Sequence, residues 1–196
     1  MRKVMLDIET LGLRPGSVVL SIGAVVFDET GILEEFNEVH ARLETDIQHS
    51  VGLRVEPGTA LWWMDQPKDA QEELLAMPEV PAVVALVKFS EWLHSVSSET
   101  DEDTVMCKDI EIWCNGANFD GVLLREVYDA LGVAVPWAWW NERCYRTERK
   151  SMQRVLESLC IPVQEPDFEE TKHNALADAR HQAKVLARYW SEINIG

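Results

Sequence analysis

Near its start an apolar run ends on two carboxylates one residue apart: Lys3-Val4-Met5-Leu6 leads into Asp7-Ile8-Glu9-Thr10. The run reads as a buried strand, and a strand turns successive side chains to opposite faces. Asp7 and Glu9 therefore share a face, while Ile8 enters the layer behind. Two carboxylates side by side at the end of a core strand repel each other and lose hydration. That is unfavourable unless a cation compensates, and a divalent metal is the usual one. An Asp-x-Glu pair alone also occurs as a solvated strand end, the more so in a chain with 34 acidic and 18 basic residues. Whether the pair means anything depends on what other segments bring to it.

At 196 residues and 46% hydrophobic content, the chain suits one domain over 1–196 with a full-sized core. No apolar run approaches a membrane span, and Met1-Arg2-Lys3 leads straight into the strand rather than into a signal peptide, so no membrane partner is expected. Cys107, Cys114, Cys144 and Cys160 lack Cys-x-x-Cys or Cys/His zinc spacing and read as free thiols of a reducing cytoplasm. A net charge of −16 argues against a general nucleic-acid coat, which needs Lys and Arg. It is compatible with an enzyme that grips one strand end through metal ions.

Val18 to Phe27 reads as a second strand, Asp28-Glu29-Thr30-Gly31 as a hairpin connection and Ile32 to Leu43 as a third strand, a three-stranded meander. Glu44 to Gly58 reads as a loop. Thr59 is placed to cap a short helix with Leu61, Trp62, Trp63 and Met64, Pro67 starts another to Met77, and Pro81 opens a longer one. Residues 97–103 form an acidic loop. Ile110 to Cys114 is a fourth strand, and Asn118 is placed to cap a helix over Phe119 to Leu131. A short fifth strand lies within Trp137 to Tyr145, a helix over Ser151 to Leu159, a loop over Pro162 to Asp167, and a last helix carries Leu176, Ala179, Ala183, Leu186, Ala187 and Trp190 on one face. This mixture predicts an α/β layer fold with a mixed five-stranded sheet flanked by helices.

Two more carboxylates fall where such a fold brings them near Asp7. Asp120 follows the fourth strand, and Asp178 lies near the start of the last helix, off its apolar stripe. His173 precedes Asp178 by five residues, about 140° of helix rotation, so the pair converges only if His173 sits in the loop or first turn. Four carboxylates and a histidine suit phosphodiester hydrolysis. Two Mg²⁺ or Mn²⁺ ions balance the four charges, one activating water and the other stabilising the leaving oxygen, and a neutral histidine takes the water proton.

Asp7-Ile8-Glu9-Thr10, Asn118-Phe119-Asp120 and His173-Asn174-Ala175-Leu176-Ala177-Asp178 resemble the three motifs of the DEDDh (DnaQ-like) 3′→5′ exonucleases. The histidine spacing matches the histidine branch; the tyrosine branch has Tyr where this chain has Asn174. Leu61-Trp62-Trp63 with Gln66 and Ala70, and Trp140-Asn141-Glu142-Arg143 with Arg146-Thr147, resemble one subgroup, that of the T-even-phage exonuclease A and a bacterial 3′→5′ exoribonuclease type. The resemblance covers nearly the whole chain. It departs at Arg143-Cys144-Tyr145, where the subgroup tends to have Arg-Asp.

That resemblance implies a ribonuclease-H-like fold and a metal-dependent 3′→5′ exonuclease releasing nucleoside 5′-monophosphates from single-stranded nucleic acid with a free 3′ end. It implies that Asp7 bridges two divalent cations, Glu9 and Asp178 hold the nucleophile-side ion, Asp120 holds the other, and His173 is the general base. Thr10, Leu11 and Gly12 would border the terminal nucleotide, with Asn118 beside them, and a homodimer is implied. The phage-type likeness leans to DNA, in a host cytoplasm, and the bacterial type to RNA. A slight lean goes to the phage type.

Adjacent helix positions face differently, so one of Trp62 and Trp63 packs and the other is free to stack on a base. Trp137, Trp139 and Trp140 read as core or dimer surface. Arg125, Arg143, Arg146, Arg149 and Lys150 form the least acidic stretch, either a backbone-steering face or a mixed solvated one. His181 reads as an exposed helix residue. Two alternatives stay in view: a catalytically silent nuclease-like binding module, and a phosphodiesterase of short oligonucleotides.

Overall fold

Continuous apolar runs build strands buried on both faces, and the two longest runs form the centre of the sheet. β1 (Arg2–Thr10) and β2 (Val19–Asp28) pair antiparallel, with Val4, Met5, Leu6, Ile22, Ala24 and Val25 wholly buried. The structure is a computed structural model that describes residues 1–98, 106–116 and 118–194. β3 (Gly31–Ile32) and β4 (Val39–Leu43) also pair antiparallel with β2. β5 (Glu79–Val80) runs parallel to β4, β6 (Ile110–Cys114) parallel to β1, and β7 (Glu142–Cys144) parallel to β6. The order is β5-β4-β2-β1-β6-β7, with β3 beside β2.

The mixed sheet has seven strands rather than the expected five, because β3 and β5 are two-residue pieces. Ile32 to Leu43 is not one strand. Its pairing with β2 slips by four residues between β3 and β4, and the extra chain turns at Leu33–Phe36. The loop expected over 44–58 contains α1 (Asp46–Ser50), whose buried Gln48 amide bonds both the N–H and the C=O of Val19. α2 (Pro57–Met64) starts before Thr59, with Pro57 in its first turn, so Thr59 is not its cap. α3 (Lys68–Ala76) and α4 (Ala82–Val96) follow, with Pro67 and Pro81 at their entrances. Most of the expected acidic loop, from residue 99, lies outside the described residues.

Beyond β6, α5 (Asp120–Ala130) begins after Phe119, and Asn118 is exposed without a capping bond. A 3₁₀ turn at Trp139–Asn141 leads into β7. α6 (Tyr145–Ser158) begins six residues before the expected Ser151, and α7 (Ala175–Asn194) closes the fold. Among the described residues no helix is long and apolar enough to cross a membrane.

Strand alternation sorts β1 between two layers. Val4, Leu6 and Ile8 pack with residues of α4 and α5, such as Leu86, Phe89 and Leu123. Met5 faces the other way, with Val25, Phe27 and Trp113, onto Ala179, Ala183 and Leu186 of α7 and Leu156 of α6. Asp7 and Glu9 continue the Met5 face, which delivers them to the start of α7. The approach there is close because Gly23, the β2 partner of Asp7, has no side chain. A Cβ at Gly23 would lie 2.2 Å from the backbone of Ala175 and Leu176.

Backbone cannot yield as a side-chain tip can. Gly23→Ala is therefore expected to destabilise the protein by about 2 kcal/mol or more, and to lower activity further than stability alone explains, because α7 is displaced from β1. Thermal melts beside rate measurements at a temperature where the variant is folded check this; a melt equal to wild type would contradict it.

Candidate active site

Three segments meet at the carboxyl end of β1. β1 supplies Asp7 and Glu9, each 9% exposed, and α5 supplies Asp120, 2% exposed, from its first turn. α7 supplies Asp178 from its own first turn. Asn174 caps α7, its side-chain oxygen accepting from the N–H groups of Leu176 and Ala177 at 3.1 Å. His173 lies just outside the helix with φ 63°, a left-handed conformation that an L side chain adopts only under constraint. The constraint is visible: Asp178 accepts the His173 N–H at 3.0 Å. The sequence expectation of His173 in the loop and Asp178 one turn inside matches this geometry.

Glu9, His173 and Asp178 bring ligand atoms within 4.8 Å of one another. Asp7 lies behind them and accepts the side-chain N–H of Gln182 at 2.9 Å. Asp120 lies across β1, where one oxygen accepts the Ile8 N–H at 3.4 Å. Its other oxygen is buried and has no partner among the described residues.

Burial dominates the electrostatics. It raises Glu9 to about 8, with the charges of Asp178 and Asp120 adding to the shift. Burial raises Asp7 well above the usual carboxylate range, helped by Asp120, Glu9 and Asp178. Asp120 is raised by burial to about 7, against the opposing pull of backbone N–H groups and Arg146. Asp178 is raised by burial and restrained by the His173 N–H. Four mutually repelling carboxyl groups, one with an unpartnered buried oxygen, form a hard oxygen donor set of the kind that suits Mg²⁺ or Mn²⁺.

Beside Glu9 lies a cavity of about 390 Å³, lined by Ile8, Thr10, Leu13, Trp62, Trp63 and Phe119 among others. The adjacent tryptophans divide the labour. Trp63 is buried and donates its indole N–H to the Thr10 carbonyl at 2.9 Å. Trp62 is 42% exposed and meets the His173 ring edge-on at 4.9 Å. Leu11 and Gly12 do not line the cavity: Leu11 is held through its N–H to Val18 and its C=O from Glu56, and Gly12 lies against Ser17. Asn118 opens instead onto a different cavity, beside Arg146.

Other expectations divide. Trp137 is core, whereas Trp139 and Trp140 are 63% and 52% exposed. Arg125, Arg143 and Arg149 are engaged by Glu142, Glu111 and Glu165. His181 is half-buried against Phe168 rather than exposed, away from the cluster. Two residues escaped the sequence reading. Gln182 follows Asp178 by four residues, one helical turn, and that spacing was its signal. Glu73 of α3 accepts from Thr171 at 2.6 Å and from Asn174 at 2.9 Å, clamping the His173 loop on both sides. Nothing in the sequence announces a contact across a hundred residues.

The family model described as the 3′-5′ exoribonuclease Rv2179c-like domain matches residues 2–190. No curated protein matches. Among solved structures, cell-death related nuclease 4 (CRN-4) superposes with a TM-score of 0.60 at 14% identity, over 100% of this chain and 64% of that one. The nuclease domain of 3′hExo, a DEDDh family member solved bound to rAMP, superposes with a TM-score of 0.55 at 12% identity, over 97% and 92%. The chain thus spans less than two thirds of the CRN-4 chain. The likenesses establish the ribonuclease-H-like fold.

The raised carboxyls make a prediction with a definite sign. Carboxyl groups titrate near 4 when unfolded and, for Asp120 and Glu9, near 7 and 8 when folded, so stability is fully present below about pH 4 and is lost as pH rises through 7 and 8. In chelator the melting temperature should fall across that window, and added Mn²⁺ should restore it most at the alkaline end. Asp120→Asn should stabilise the metal-free protein at pH 8 by on the order of 2 kcal/mol and reduce the response to Mn²⁺. Scanning calorimetry checks both; a melting temperature flat from pH 5 to 8.5 in chelator would contradict the first.

Proposed function

The chain belongs to the 3′-5′ exoribonuclease Rv2179c-like family, and we propose that it removes nucleoside 5′-monophosphates stepwise from the 3′ end of single-stranded nucleic acid. The observation that carries this reading is the convergence of Asp7, Glu9, Asp120, Asp178 and His173 beside a slot walled by Trp62 and Phe119. A strand end fits a slot next to a hydrolytic centre, whereas an internal segment would need an open groove on both sides. The family's description supports RNA ahead of DNA, against the slight phage-type lean of the sequence. The presence of all five groups weighs against a silent binding module.

Asp7, Glu9, Asp120 and Asp178 would hold two divalent cations. When bound, the ions neutralise the carboxylates, favour ionisation of the attacking water and stabilise charge on the leaving oxygen. His173 accepts the water proton as the water oxygen bonds to phosphorus and the bond from phosphorus to the 3′ oxygen breaks. The phosphate leaves on the 5′ oxygen of the released nucleotide, and the shortened strand keeps a 3′ hydroxyl. Asp178 and Glu73 hold the His173 segment, and the imidazole ring lies against Trp62 at the rim of the slot. Trp62 and Phe119 receive the terminal base, whose stacking is worth about 1–3 kcal/mol and is indifferent to sequence. Thr10, with Leu11 and Gly12 behind it, shapes the floor.

We propose two finer readings. A second copy of the chain is the partner we propose for the exposed Trp139–Trp140 pair, and light scattering tests it. The four cysteines form no disulfide among the described residues, which fits a reducing compartment such as the cytoplasm.

With 5′-labelled RNA and DNA oligomers and Mg²⁺ or Mn²⁺, a ladder shortening from the 3′ end is expected. Asp7→Ala should abolish it, and His173→Ala should slow it by about 10²–10⁴-fold. No ladder on either polymer would overturn the reading. Trp62→Ala should raise KM by about tenfold with a smaller change in kcat; a loss confined to kcat would remove Trp62 from the base platform.

A further inference from the structure

A second cavity, of about 820 Å³, adjoins the slot, and Phe119 lines both. Three cations of α6, Arg146, Lys150 and Arg154, line it with Asn118 and Thr147, and no carboxylate does. In a chain of net charge −16 that composition is unusual. Most of the neighbouring arginines are neutralised: Arg125, Arg143 and Arg149 each hold a glutamate. Among the described residues Arg146, Lys150 and Arg154 form no ion pair. They recur every fourth residue, so they make one exposed stripe rising roughly 12 Å along the helix.

The stripe points at the reaction centre. The Arg146 guanidinium lies 2.4 Å from where a Cβ on Gly116 would stand, over the turn that leads to Asp120, and its charge opposes the burial that raises the Asp120 carboxyl. Lys150 and Arg154 continue the line along α6 in the same cavity.

We infer that the Arg146–Lys150–Arg154 face of α6 is a binding track for the sugar–phosphate backbone of the strand upstream of its 3′ end. The inference rests on the exonuclease reading for its orientation: the last base enters the slot, the chain crosses Phe119, and the preceding phosphates lie along α6. Lys and Arg neutralise phosphates without reading bases, so the track favours length and not sequence. Thr147 and Asn118 supply hydrogen-bonding groups between the charges. The track separates an enzyme for polymers from one for dinucleotides, because a dinucleotide ends before it reaches Lys150.

The test uses the full chain carrying Asp7→Ala, the variant expected to abolish cleavage, with and without the added pair Lys150→Gln and Arg154→Gln. Both positions are exposed, and Lys150→Arg with Arg154→Lys serves as the charge-conserving control. Binding of a single-stranded 12-mer is measured across a salt series. Each phosphate contact contributes about 0.7 to the slope of log affinity against log salt for single strands, so losing two should make the slope shallower by about 1.4. Affinity should fall about tenfold at low salt, and the control should behave like its parent. An unchanged slope, or an equal loss in the control, overturns the track. In the active chain, the same pair should lower the rate on the 12-mer relative to a dinucleotide; equal loss on both also overturns it. A wild-type chain that cleaves neither substrate speaks against the exonuclease reading, while the salt slope still decides the track.

Discussion

Repulsion among four carboxyl groups gathered at one end of a sheet is the constraint around which the rest of the molecule is arranged. Left alone, such a cluster opposes folding, since each charge loses water and meets three others. The fold answers with strong apolar packing immediately behind the charges: Val4, Met5 and Leu6 are wholly buried on β1, and Ala179, Ala183 and Leu186 dock α7 on the same face. It adds polar contacts where geometry allows, from Gln182 to Asp7 and from the His173 N–H to Asp178. What remains uncompensated, above all the buried oxygen of Asp120, is the affinity held in reserve for cations.

The surface around the cluster is divided by chemistry. One side is an apolar slot with Trp62 at its rim and Trp63 fixed beneath it by the bond to Thr10. The other is the cationic face of α6. Phe119 is the ridge between them, contributed by the same turn that starts α5 at Asp120. Under the proposed function a base and a phosphate backbone would meet different walls of one site, with the scissile bond where the walls join.

Much of this was legible in the sequence, for local reasons. Alternation along β1 put Asp7 and Glu9 on one face, and the angular distance between His173 and Asp178 required the histidine to leave the helix; φ 63° is how it does so. The two-residue strands were not legible, because pairing that short follows from the strand next to it and carries no period of its own. Nor was the helix over 46–50, which Gln48 anchors to Val19 through a tertiary contact. Asn118 looked like a cap, but the turn at Asn115-Gly116 carries the chain past it, and the helix starts without one. The arginines between residues 125 and 154 could be counted in advance but not sorted, since which are neutralised depends on glutamates at 111, 142 and 165.

Gly23 has a consequence in time as well as in space. Because the backbone of Ala175 rests where its side chain would be, the start of α7 seats directly on β2. In chain order α7 follows every other element of the domain. A ribosome extending this chain exposes Asp7, Glu9 and Asp120 long before His173 and Asp178. Until α7 has been made, the chain lacks two of the five groups that gather at the end of β1, together with the apolar face that covers Met5 and Val25.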